Sequence, residues 1–173
     1  MTVALLSAAP AVAAVMVGGA PMYASKTIAQ NAPNAKNLTT LVAAVKAAGL
    51  VDTLAGEGPF TVFAPTNAAF KRLPAGTVQT LLKPENKAKL TGVLTYHVVP
   101  GVYTVRTLRE DIKKRGGSLT LKTVEGAPLT FRIYKGMVAV IDQSGHGSTI
   151  QTADVMQKNG VVQVIGRVLL PKN

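Results

Sequence analysis

Apolar and polar positions along the chain change period twice. The densest apolar stretch is Gly58 to Phe70, GPFTVFAPTNAAF. Phe60, Val62 and Ala64 alternate with Thr61 and Phe63, the period of a strand. Both faces carry Phe or Val, which predicts a strand covered on both sides. Pro65 has no N–H to give a ladder and ends it. Thr66 and Asn67 offer side-chain oxygens to cap a helix that buries Ala68, Ala69 and Phe70. A second run, Asn159 to Pro171 (NGVVQVIGRVLLP), is equally rich in Val, Ile and Leu. The two runs are expected to share one core.

Ahead of the first run, Leu38, Leu41, Val42 and Val45 fall at helical spacing and the pattern ends near Gly49, with Asn37 as the expected cap. Leu50, Val51 and Leu54 suggest one more apolar turn. After Phe70, Val78, Leu81 and Leu82 mark a short helix stopped by Pro84. The next helix opens at Pro84-Glu85 and carries Leu90, Val93, Leu94 and His97 on its apolar face. Tyr96 to Pro100 reads as extended chain. Thr104 caps a basic helix with Val105, Leu108 and Ile112 inward, and Arg106, Arg109, Lys113, Lys114 and Arg115 outward. Gly116-Gly117 ends it.

From there the period becomes two. Leu119, Leu121 and Thr123 alternate, then Leu129, Phe131 and Ile133, then Val138, Val140 and Asp142. Turns fall at Glu125-Gly126, Lys135-Gly136 and Gly145-His146-Gly147, giving antiparallel hairpins. A further strand spans Ser148 to Thr152, and Asn159-Gly160 turns into the last strand pair. Helices cluster in the first half and strands in the second, so the class is α+β with an antiparallel core.

Composition adds three constraints. The chain of 173 residues fits one domain plus a short extra segment, residues 37–171 being the domain and 15–36 a Gly-, Pro- and Asn-rich arm with one helical turn at Thr27 to Asn31. Residues 1–14 (MTVALLSAAPAVAA) are apolar, uncharged and small-residue-rich, with small-x-small cleavage patterns at Ala11 to Ala14. They read as an export signal, too short and Pro-broken for a membrane span, although no Lys or Arg precedes the apolar run; a start codon placed too late or an ordinary chain terminus is the alternative. Nineteen Lys and Arg against eight Asp and Glu give a net charge of +11, which favours acidic partners. A solvated, self-repelling surface is the plainer alternative. The basic residues are not interleaved with aromatics, which argues against a specific nucleic-acid partner.

Candidate chemistry is sparse. With no Cys and two His, neither a thiolate nucleophile nor a closed metal site can be assembled, and Asp142 and His146 supply two potential ligands at most. No Gly-x-Ser-x-Gly elbow occurs, and Gly56-x-Gly58 and Gly145-x-Gly147 lack the third glycine of a dinucleotide loop. The expectation is no enzyme and no cofactor. His97, flanked by Tyr96, Val98 and Val99, is expected to be a buried, neutral imidazole whose ring N–H is hydrogen-bonded. Arg106, Arg109 and Lys113 share one outer stripe of the basic helix, with Glu110 and Asp111 diluting its charge.

Three stretches resemble the fasciclin domain in the family's order and spacing. They are FTVFAPTNAAF (Phe60 to Phe70), LTYHVVPG (Leu94 to Gly101) and NGVVQVIGRVLLP (Asn159 to Pro171), the last preceded by Thr152-Ala153-Asp154-Val155. Val17 to Ile28 is similar to the lead-in of bacterial single-domain secreted members. The resemblance implies a β-wedge of about seven strands with helices packed on it. It also implies a secreted, periplasmic or cell-surface protein that acts in adhesion or binding without catalysis, with a cell-surface or extracellular-matrix component as partner, an anionic polymer among the candidates. Tyr96 and His97 are credited in the family with both fold maintenance and adhesion. Two departures stand out: Gly166 where members usually carry an acid, and Gln163 where they often carry His. Of the integrin-contacting Asn-Lys-Asp-Ile segment of animal members only Asp154 is kept, so integrin binding is not carried over. The competing class is a carrier of a small hydrophobic or lipidic ligand, which needs an apolar cavity between wedge and helices.

Overall fold

The computed structural model describes residues 14–172. The segment read as an export signal lies, apart from Ala14, outside them. Among the described residues, no helix is long and apolar enough to cross a membrane.

The chain opens with a hairpin, β1 (Val15–Val17) and β2 (Ala20–Met22), followed by α1 (Ile28–Asn31). Thr27 and Gln30 form a capping box at the start of α1. Next come α2 (Thr39–Ala47), α3 (Val51–Ala55), β3 (Phe60–Pro65), α4 (Asn67–Lys71) and α5 (Thr77–Leu81). A 3-10 turn at Pro84–Asn86 leads into α6 (Lys87–Tyr96), β4 (Val98–Pro100) and α7 (Val105–Lys114). The second half is strand: β5 (Leu119–Lys122), β6 (Pro128–Tyr134), β7 (Met137–Ile141), β8 (Gly147–Gln157) and β9 (Gly160–Ile165). Seven strands form one sheet in the order β4-β3-β9-β8-β7-β6-β5, the α+β wedge that the motifs imply.

Period and burial agree at β3. Val62 and Ala64 enter one core with Leu41, Ala69, Phe70, Leu90 and Leu94 from the helices. Phe63 points the other way, into a second core with Leu108, Leu119, Phe131, Val140 and Ile165. Its ring centroid lies 5.3 Å from that of Phe131. The strand is thus covered on both faces because each face closes a different core. Helix α7 seals the second core with Leu108 and Ile112.

Several local expectations are corrected. The partner of β3 across Phe60↔Gly160 to Pro65↔Ile165 is β9, and the pair is parallel, inside an otherwise antiparallel sheet. Gly160 has φ +155, and a β-carbon there would overlap the backbone of Phe60, 2.8 Å from its nitrogen. Tyr96 ends α6 rather than beginning extended chain. Ala68 is exposed, while its neighbours Ala69 and Phe70 are buried. Asn37 does not cap α2. Asn67 does so from across the fold, accepting from the Thr40 N–H through Oδ1 at 3.0 Å. The arm is packed: Val17, Met22 and Ile28 are buried in the first core. Its Asn31, 1% exposed, pairs with both backbone polar groups of Tyr23 and with Gln157.

Candidate functional site

Tyr96 and His97 sit side by side where α6 meets β4, and they point into different cores. Tyr96 is fully buried. Its hydroxyl donates to the Pro128 carbonyl at 2.9 Å and accepts from the Gln143 N–H at 3.1 Å. It therefore ties α6 to the start of β6 and to the turn after β7. Burial, foremost, pushes the phenol up to about 12, so it stays protonated.

His97 does the same work toward the C-terminus. Its Nδ1 lies 2.7 Å from the Val93 carbonyl, and the Leu169 N–H donates to Nε2 at 2.9 Å. A carbonyl can only accept and an amide N–H can only donate, so the ring carries its proton on Nδ1 and is neutral. Burial pushes its pKa down to about 4, against weaker opposing pulls from the Val93 carbonyl and the Asp142 carboxylate. Neither ring nitrogen is left for a base, a metal or a ligand.

The rest of the C-terminal tail is held likewise. Asp142, expected as the end of a strand pattern and as a weak metal ligand, is 5% exposed. It accepts from Ser144 N, His146 N and Leu170 N at 2.9, 2.9 and 3.0 Å. Gln143 accepts from Lys172 N at 3.0 Å. Asn159, whose pattern signalled only a turn, is also buried. It accepts from Ile28 N and donates to the carbonyls of Leu54 and Gly56, joining α1 and α3 to the sheet. An Asn-Gly pair signals a turn whether or not its amide is buried, so nothing in the sequence separates the two roles.

Asp154 interrupts β8 with φ +54, at a shift in the β8–β9 register. This left-handed conformation, which Asp tolerates better than most residues, aims its carboxylate at the start of α7. Oδ1 accepts from Val105 N at 2.8 Å and from Gln163 Nε2 at 2.8 Å. Gln163 also donates to the Tyr103 carbonyl and accepts from Asp154 N. An amide can give and take at once, so Gln163 closes this loop in a neutral form. Thr104 caps α7 through the Thr107 N–H, as expected. At Gly166, the Gln151 carboxamide occupies the space where a side chain would start.

The basic stripe is partly engaged within the fold. Arg106 pairs with Glu110 at 3.1 Å, and Arg109 donates to the Gly136 carbonyl. The structure brings together none of Tyr96–His97, Asp154 and the α7 stripe as one concave site; each does a separate job.

The fold and its three motif regions define a known class. The fasciclin domain model matches residues 36–171, and the chain belongs to that family. A protein of the cyanobacterium Synechocystis is 46% identical over 156 residues, 90% of this chain and 79% of the relative. The immunogenic protein MPB70 of Mycobacterium bovis is 36% identical over 154 residues, 83% of this chain and 68% of the relative. Among solved structures, a domain pair of the insect cell adhesion molecule fasciclin I superposes with a TM-score of 0.75 at 18% identity. That match covers 84% of this chain and 51% of the other, and it bears on the fold.

Proposed function

We propose that the protein is an exported, non-enzymatic adhesion module that associates with anionic polymers of a cell surface or extracellular matrix. The observation that carries this reading is where its polar groups are spent. Tyr96, His97, Asp142, Asp154 and Gln163 are consumed by internal hydrogen bonds. The positive charge is not: among the described residues, ion pairs within 4 Å are limited to Arg106–Glu110 and a 3.9 Å approach of His146 to Asp142. A surface at +11 with so little internal neutralisation attracts polyanions. The insect molecule whose fold it shares, fasciclin I, is a cell adhesion molecule.

The carrier reading is less well supported. A cavity lies where it requires one, between the sheet and α1 to α3, lined by Val17, Ile28, Leu41, Leu54, Phe60 and Val162. Its volume is about 100 Å³, against roughly 300–1,000 Å³ for ligand pockets.

Retention on an acidic-polysaccharide matrix is expected to collapse between low and high salt, because free charges are screened over about 8–10 Å near physiological ionic strength. Retention that ignores salt would sink a charge-driven contact. Export predicts a mature chain beginning between Val12 and Val15, just ahead of the β1–β2 hairpin. N-terminal sequencing of the protein from its host reads this directly, and a cytosolic form still starting at Met1 would refute it.

A further inference from the structure

The outer face of β6, β7 and β8 carries a second depression, distinct from the motif regions. It is a groove of about 670 Å³, within the roughly 300–1,000 Å³ usual for ligand sites. Three arginines line it from three parts of the chain: Arg72 just after α4, Arg132 in β6 and Arg167 just after β9. All three are exposed. No Asp or Glu lines it. The nearest carboxylate in sequence, Asp142 in the adjoining turn, is buried and engaged with three backbone N–H groups. Ser148, Thr149 and Gln151 also line it, as does Tyr134, which is 56% exposed. The Lys135 ammonium lies 5.4 Å from the Tyr134 ring centroid and adds a cation beside it.

We propose that this groove is the seat of the polymer contact, and that its occupant is an acidic polysaccharide bearing carboxylates or sulfates along the chain. This rests on the polyanion reading above and gives it a place. Guanidinium forks pair bidentately with carboxylate and sulfate oxygens. A single exposed tyrosine suits the apolar face of one sugar ring, whereas single-stranded nucleic acid is gripped by successive aromatic platforms. A groove also fits a threaded chain better than a flat lipid surface. The α7 stripe competes poorly, because Glu110 and Asp111 interleave its cations and Arg106 and Arg109 are already engaged.

Gly166 provides the test. It lines the groove, its φ is not left-handed, and the nearest atoms to a β-carbon there are the far end of the exposed, flexible Gln151 side chain. Gly166→Glu therefore puts a carboxylate among the arginines without removing any of them, and Gly166→Gln controls for bulk. Heparin and polygalacturonate serve as probes at low salt, with neutral dextran, duplex DNA and anionic phosphatidylserine vesicles as comparison arms. Thermal unfolding confirms that each variant is folded. Gly166→Glu is expected to weaken polysaccharide binding about tenfold or more, since it sets a carboxylate against the like charges of the polymer. Gly166→Gln should stay near wild type, and Arg132→Ala with Arg167→Ala should match the Glu variant. Wild-type binding that all variants share unchanged would overturn the groove while leaving the polyanion reading standing. Failure of the wild type to bind any polyanion would overturn both. DNA or vesicles bound as tightly as the polysaccharides, with the same sensitivity to Gly166→Glu, would overturn the choice of occupant.

Discussion

Phe63→Ala is expected to lower the unfolding free energy by about 3–5 kcal/mol, the range for emptying a fully buried aromatic site. Phe63 has no exposed surface and stacks on Phe131 at 5.3 Å, in a core that β-strands close on several sides and α7 seals. Strands held by their neighbours cannot collapse into the hole, so the cavity term stays near its upper range. Phe60, three residues earlier, is only partly buried at the edge of the first core. Phe60→Ala should cost less, because part of Phe60 already meets water. Urea midpoints of the two variants at one pH read the difference. Equal losses would show that the two faces of β3 are not as unlike as the structure has them.

The second large effect is acid lability through His97. Its folded pKa of about 4 lies below the usual value of 6.5. The unfolded chain therefore binds a proton that the folded one refuses in the window between them. Stability is full above pH 6.5, falls as pH drops through the window, and changes no further from this group below about pH 4. The shift amounts to ~3 kcal/mol. Its physical source is plain: a protonated ring would point an N–H at the Leu169 N–H, both inside the protein. His97→Phe keeps the volume and leaves the Val93 carbonyl and Leu169 N–H unpaired, costing about 1–3 kcal/mol at pH 7. It also removes the titration, so the stability gap between wild type and variant should narrow from pH 7 to pH 4. Parallel pH dependences for the two proteins would refute the assignment.

Much of the fold was legible because short-range pattern sufficed. The alternation at Phe60 to Ala64, the Thr104 cap and the glycine turns between β5 and β8 each carry their own signal. The parallel β3–β9 pairing does not, since alternation tells which face a side chain takes and not which strand lies alongside. The hairpin β1–β2 was hidden in an arm whose Gly, Pro and Asn content signals loop, although Val17 and Met22 enter the core. Side chains that bond distant backbone were misassigned locally: Asn37 looked like the cap that Asn67 supplies, and Asn159 like a turn and nothing more. At the candidate site, the buried neutral His97 followed from its apolar neighbours. The arginine groove could not, because Arg72, Arg132 and Arg167 come from separate elements and only the folded sheet brings them to one face.

The place of β9 also bears on how this protein is made. It is the last strand among the described residues, yet it lies between β3 and β8 inside the sheet. A ribosome must therefore synthesise nearly all of the sequence before β3 meets the neighbour that completes it. Until then both hydrophobic layers are open along one side, and the closing contact spans about a hundred residues, the kind of long-range pairing that forms slowly. The pairing of β3 with β9 can form only once β9 itself has been made.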